Sequence, residues 1–206
     1  MPRLSSEAQS ARRERILDAA ERCFVRTGFH AATMQHICEE ADVSAGALYV
    51  YFASKEALIL GLCDREMDKF FNNIEAIAKA DDFLGALKSM AEHYCCEVPI
   101  EKVRLHIEIG AEAGRNPIIA KRLRDENAVI VAHFIELLER EREAGRIQPA
   151  YPIETVVRAM GLIGDGLFWH RSVDDAFDPR AVIPAVMTMI SALIAPSNPS
   201  AEKIQA

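Results

Sequence analysis

Apolar residues recur every three or four positions near the start of the chain (Ala8, Ala11, Ile16, Leu17, Ala20, Phe24, Val25), the spacing of one helix face, and the run stops at Gly28. The pattern predicts a helix over Glu7–Thr27, opened by a capping box in Ser6-Glu7-Ala8-Gln9. Thr33 and Ser44 stand as N-caps before two short helical stretches, one through Glu40 and one to about Val50, joined by Ala41-Asp42-Val43. Two short helices with a turn of that length make a helix-turn-helix pattern. Ser54 then caps a longer run through Leu58, Leu62, Met67, Phe70, Phe71, Ile74 and Ile77 to about Ala80. Further helices are expected over Asp82–Glu97, stopped before Pro99, and over Ile100–Ala113, closed by Gly114. The next runs to Ala144, with Asn116 as N-cap, Pro117 in its first position and Gly145 as its stop. The last two cover Pro152–Ser172 and Pro179–Ala195, with Pro184 predicting a late start or a kink in the final one.

No segment alternates as a strand does, and no internal repeat is present; the tail after Pro196 is expected to be disordered. The fold class is all-α, with an N-terminal three-helix helix-turn-helix domain in residues 1–55 and a second helical domain in 56–206. Composition agrees: half of the residues are apolar and only 7% aromatic, which disfavours a sandwich or barrel. The longest apolar stretch, Val182–Ala195, is about fourteen residues and is interrupted by Pro184, Thr188 and Ser191, against roughly twenty needed to span a bilayer. No apolar run precedes the first charged cluster, so neither a secretory signal nor a membrane partner is expected, and a cytoplasmic location is. The five cysteines, Cys23, Cys38, Cys63, Cys95 and Cys96, lack paired spacing and read as reduced, mostly buried thiols. Net charge is −7, yet residues 1–60 carry 7 basic and 8 acidic groups, so the acidity belongs to the remainder, which carries 17 and 23. A small basic surface on the first domain is therefore compatible with the overall sign.

The detail of the run from Thr33 to Leu58 carries the function. Ile37, Val43 and Leu48 are spaced to fix the angle between the two short helices, and Gly28 permits the turn before them. Ser44, Ala45, Gly46 and Ala47 are small, which lets the start of the second short helix approach a groove, and helix N-termini direct N–H groups at phosphate. Tyr49 and Tyr51 end in hydroxyls on apolar rings, and Lys55 supplies a cation. Taken alone, Tyr49 reads as a core aromatic and Lys55 as a solvated charge.

Together, Arg15-Ile16-Leu17-Asp18-Ala19-Ala20, Phe24-Val25-Arg26-Thr27-Gly28-Phe29 and the run Thr33–Leu58 closely resemble the N-terminal signature of TetR-family transcriptional regulators, over about 45 residues. The resemblance implies DNA contacts from Thr33, Ser44, Ala45, Tyr49, Tyr51 and Lys55, with Gln35 near a backbone-contacting position and Gly46 in the same small-residue start. Arg3, Arg12 and Arg13 are candidates for a basic arm. The chain departs from the family pattern at His36 and Cys38, and at Asp42, which stands where a turn glycine is usual; aspartate reaches the left-handed conformation at modest cost. Because Ala45 and Ala47 offer few hydrogen bonds to base edges, much of the sequence preference is expected from DNA shape.

In the second domain, Gly110–Pro117 and Ile163-Gly164-Asp165-Gly166-Leu167 look like AcrR-type members, in which this part binds ligand and dimerises. The implied homodimer contact draws on Ala159, Gly161, Gly164, Gly166, Ala185, Met189, Ala192 and Leu193, small and apolar residues suited to close helix approach. Effector-pocket candidates are Met67, Phe70, Phe71, Phe83, Met90, Tyr94, His106, Phe134 and Trp169, surfaces fitting a planar apolar ligand. Glu108, Glu112 and Asp165 favour a cationic or hydroxylated effector, and His93 and His106 an anionic one, so its charge stays open. His93 with Cys95 and Cys96 lacks metal-site spacing, and no nucleophile elbow, phosphate loop or His-Glu-x-x-His is present, so no metal, cofactor or enzymatic activity is expected. The resemblance implies a repressor that binds a palindromic operator in double-stranded DNA and is released by a small apolar or aromatic effector, with efflux or detoxification genes as targets. The alternatives are a metabolite sensor of the same family, responding to an acyl-CoA or small acid, and a helical ligand-binding module without DNA function.

Overall fold

The computed structural model describes residues 5–80 and 82–194, so Arg3 and the tail after Pro196 lie outside the described residues. Among the described residues the chain forms nine α-helices, one π-helical turn and no strand. They are α1 (Ser6–Ala31), α2 (Met34–Ala41), α3 (Ala45–Tyr51), α4 (Lys55–Ala78), α5 (Phe83–Glu92), the π turn His93–Glu97, α6 (Ile100–Ala113), α7 (Pro117–Glu143), α8 (Ile153–Val173) and α9 (Pro179–Ile194).

Polar side chains set most of the starts. Thr33, Ser44 and Ser54 accept from the N–H groups of His36, Ala47 and Ala57 at 3.1, 3.2 and 3.2 Å, and Asn116 accepts from that of Ile118 at 3.1 Å. The start of α1 corrects the sequence reading. Ser5, not Ser6, is the cap, accepting from the Ala8 N–H at 3.2 Å, because Ser6 already has helical backbone. Gly28 breaks α1 as expected, with φ 77° and ψ 160°, before a short helical continuation to Ala31. Asp42 takes the left-handed conformation (φ 52°, ψ 54°), and its N–H closes α2 onto the Cys38 and Glu39 carbonyls.

Two further differences concern proline. The expected helix Asp82–Glu97 widens into the π turn over its last residues and ends at Val98, the residue before Pro99, whose ring cannot continue a helix. The last helix begins at Pro179 and runs through Pro184, so the expected late start does not occur; Asp178 accepts from the Arg180 N–H at 3.0 Å and holds the early turn. Among the described residues no single helix is long and apolar enough to cross a membrane.

The helices sort into two compact units. The first takes its described residues from Met1–Phe70 and Glu101–Arg124, the second from Phe71–Ile100 and Asp125–Ala206. Packing thus divides the chain within α4 and within α7, whereas the sequence reading divides it at 55/56. In the first unit Ile16, Leu17, Ile37, Leu48, Leu58 and Ile59 are fully buried in one cluster with Phe24. Arg65 ties α4 to α1 through Asp18 and Glu21 at 2.6 and 2.9 Å. Arg22 and Arg26 of α1 grip Glu40 of α2 at 2.8 and 3.0 Å, and the hydrogen bond from Arg22 holds that carboxyl below the usual carboxylate range. In the second unit Leu137, Leu138, Val156, Ile183 and Ile194 form the best-buried part of a separate cluster.

Leu48 is the fully buried side chain of α3, inside a cluster that also holds Ile37 of α2. Leu48→Ala is expected to destabilise the first unit by about 2–5 kcal/mol. Urea unfolding followed by circular dichroism checks this, and an unchanged midpoint would mean that the side chain does not hold α3 in place.

Candidate nucleic-acid interface

The short helix α3 presents one face to its core and the rest to solvent. Leu48 is the inward anchor, while Ser44, Ala45 and Gly46 at its start are exposed and a Cβ on Gly46 would meet nothing within 4 Å. Thr33 and Ser44 use a hydroxyl oxygen as cap acceptor, which leaves each O–H able to donate to a phosphate oxygen. Exposed Gln35 donates to Glu39 at 3.1 Å, one turn along α2. His36 is exposed, and buried Cys38 has its thiol pushed up by desolvation.

The two tyrosines divide. Tyr49 is 53% exposed, whereas Tyr51 is half-buried and packs against the core of the first unit. Val50 between them is 80% exposed, a β-branched apolar side chain held out from a capped helix. The sequence reading missed Val50. Placing Leu48 inward on a helix rotates Val50 about 200° away from it, which is the signal that finds it.

Lys55 sits at the first position of α4 with its ammonium donating to the Phe29 and His30 carbonyls at 2.7 and 3.1 Å, over the Phe29 ring at 4.6 Å. It therefore braces the segment after Gly28, and one of its three N–H donors lies beyond those two bonds. Glu108 of α6 completes the brace by accepting from the Phe29 N–H at 2.8 Å. Of the proposed basic arm, Arg13 lies over the Phe52 ring at 5.4 Å and bonds Glu14 at 3.2 Å, and Arg12 is half-buried.

The effector candidates fall in both units. Met67, Phe70 and His106 belong to the first; Phe71, Phe83, Met90, Tyr94, Phe134 and Trp169 belong to the second. Phe83 is buried there with Met90 and Phe134 packed on the same cluster, Phe71 lies 4.5 Å from the His133 ring, and the Tyr94 hydroxyl accepts from Asn73 at 3.0 Å. Trp169 is different, 53% exposed on α8 in line with Leu162 (73%) and Val173 (59%). Glu112 is buried and meets His30 at 2.9 Å, and His93 meets Glu97 at 2.9 Å.

The dimer candidates lie on the outer sides of α8 and α9, with Gly164 the exception. Gly161, Ala185, Met189 and Ala192 are exposed, and Ala159, Gly164, Gly166 and Leu193 half-buried. On α9, Ala181, Ala185, Thr188 and Ala192 form an exposed stripe with Met189 (54%), while Ile183, Val186, Ile190 and Ile194 are buried on the other side. The small residues of that stripe leave room for another helix to approach closely. On α8, Gly166 flanks the line of Leu162, and Gly164 faces roughly 160° away from it.

Comparison with known proteins places these features. The sequence profile described as "Bacterial regulatory proteins, tetR family" matches residues 16–62, which span most of α1, all of α2 and α3 and the start of α4. The chain is 33% identical over 153 residues to the HTH-type transcriptional regulator UidR of Escherichia coli strain K12, covering 72% of this chain and 75% of that protein. It is 25% identical over 190 residues to the HTH-type transcriptional repressor Rv1474c of Mycobacterium tuberculosis, covering 92% and 96%. Among solved structures, Salmonella enterica GusR superposes with a TM-score of 0.77 at 25% identity, covering 89% of this chain and 95% of that one.

Proposed function

Because the chain belongs to the TetR family of bacterial transcriptional regulators, we propose that it is a cytoplasmic, homodimeric repressor released from a palindromic operator by a small-molecule effector. The observation that carries this is α3, a capped helix anchored by fully buried Leu48 and presenting Tyr49 and Val50 to solvent. Two such helices, one per protomer, enter successive major grooves. Tyr49 and Val50 meet base edges and thymine methyls, Thr33, Ser44, Tyr51 and the N–H groups at Ala45 and Gly46 meet phosphate, and Gln35 stands at the rim. Lys55 acts first by bracing the segment after Gly28 and then by offering its remaining donor to phosphate.

The second unit dimerises through the outer stripes of α8 and α9, and binds the effector among Phe71, Tyr94 and Phe134. As functional territories, residues 1–55 read DNA and 56–206 bind effector and partner. The helix α4 starts at Lys55, next to the DNA-reading segment, and continues into the second unit, so a displacement of it by ligand is passed to that segment along continuous helix. A ligand that prefers the released state a hundredfold supplies about 2.7 kcal/mol of coupling. Efflux or detoxification genes are the targets we favour.

A gel shift of the full chain against the DNA upstream of its own gene, with a salt series and competitor DNA, tests this. A competitor-resistant shift that weakens steeply with salt is expected. A shift lost equally to any competitor would overturn operator recognition.

A further inference from the structure

Arg171 stands on the wrong side of α8 for a solvated charge. At 100° per residue it lines up with Val156, Met160, Gly164 and Leu167, and Val156 and Leu167 are 1% and 7% exposed members of the second unit's core. A guanidinium on such a stripe ordinarily has a carboxylate partner or a full set of acceptors. Arg171 has neither among the described residues. Its Nη1 is buried without an acceptor, and its Nη2 reaches only the Cys96 carbonyl, at 3.4 Å. Arg146 and Arg158 of the same unit show the contrast: Arg146 is bidentate on Glu141 at 2.6 and 2.7 Å, and Arg158 bonds Glu154 at 2.8 Å.

The surroundings suit an anion. Cys96 lies in the π turn, an irregularity frequent at functional sites. Burial pushes the Cys96 thiol up, and Arg171 opposes that rise together with a second arginine, Arg180 at the start of α9, which is exposed and forms no ion pair among the described residues. Asp178 and Glu92 oppose the two arginines at that thiol, but neither pairs with Arg171. Gly164, two turns back on the inner stripe, has open space where a side chain would stand, with nothing within 4 Å.

We infer that the second unit holds an oxyanion, a carboxylate or phosphate group of the effector, on Nη1 of Arg171, with Arg180 adding to the field. The assignment rests on the effector-responsive reading above and settles the ligand's charge, which the sequence left open. A planar guanidinium presents donors in the geometry that carboxylate and phosphate accept.

The test is a melting series of the full chain with benzoate, inorganic phosphate and neutral benzamide, at ionic strength matched with chloride, on wild type, Arg171→Met and Arg171→Gln. A rise in Tm of roughly 5–10 °C is expected at a hundredfold excess over Kd. Benzoate or phosphate, whichever group the site takes, should produce it in wild type, benzamide should not, and neither variant should respond. Without ligand, Arg171→Met should melt no lower than wild type, since it removes a half-buried charge that has no carboxylate partner among the described residues and whose Nη1 has no acceptor. The inference is overturned if wild type and Arg171→Met respond alike, if benzamide acts as well as benzoate, or if both variants melt well below wild type without ligand. Because melting requires no DNA, this outcome is separate from the gel shift: an operator shift without an anion response overturns only the anion site, and the converse overturns only the regulator reading.

Discussion

Tyr49→Ala is expected to weaken operator binding by about 30- to 1,000-fold while leaving the melting temperature within experimental error. The loss of a groove contact is on the order of 1–2 kcal/mol per half-site, and a symmetric dimer loses it twice. The ring is 53% exposed and anchors no core, so its removal leaves stability within about 0.5 kcal/mol. Gel-shift titration beside thermal melting measures both quantities on one preparation. Unchanged affinity would favour the rival description, a helical ligand-binding module that does not use α3. Lys55→Gln makes the instructive contrast. Its ammonium bonds the Phe29 and His30 carbonyls, so affinity and melting temperature should fall together, the latter through about 1.5–3 kcal/mol of charge-assisted hydrogen bonding discounted for its partial exposure. A fall in affinity alone would return Lys55 to a purely DNA-facing role.

Leu162→Glu combined with Met189→Glu should convert the dimer to monomer and reduce operator binding by at least about a hundredfold. Both side chains are more than half exposed, on α8 and α9, in stripes that no part of the second unit's core covers. A twofold interface sets each substituted position against the same patch of its copy, so the introduced carboxylates would be desolvated among apolar groups and close to one another. A monomer retains one half-site and loses the gain from binding two at once. Sedimentation velocity gives the oligomeric state and titration the affinity. A persistent dimer would place the interface elsewhere, and a monomer with full affinity would break the link between dimerisation and operator binding.

Local chemistry made much of this molecule legible from its sequence. Thr33, Ser44, Ser54 and Asn116 announce helix starts because a short side-chain oxygen satisfies a free N–H wherever it occurs. Asp42 and Gly28 announce reversals because few residues accept a positive φ. The signature run added what spacing could not, since any helical protein contains short helices joined by short turns. Less legible were features decided at a distance. Ser5 rather than Ser6 caps α1 because the helix extends one residue further than its apolar period. The π turn at His93–Glu97 leaves no mark on a three-to-four-residue pattern. The division of Met67, Phe70 and His106 from the other effector candidates depends on which α4 and α6 residues pack with the first unit. Lys55 looked like a free cation because its acceptors are backbone carbonyls more than twenty positions away, invisible to composition. Arg171 escaped notice for the opposite reason: only the packed structure reveals that a charge on the inner side of α8 has no acceptor for Nη1.

Reading of a symmetric DNA site by two copies of α3 underlies every functional proposal for this chain. Selection of bound sequences from a random double-stranded DNA pool, using the full chain in excess competitor at near-physiological salt, tests it most directly. Convergence on an inverted repeat whose half-site centres lie about one helical turn or more apart is expected, with no enrichment by Tyr49→Ala. Recovery of unenriched sequence, or of single sites without symmetry, would contradict it.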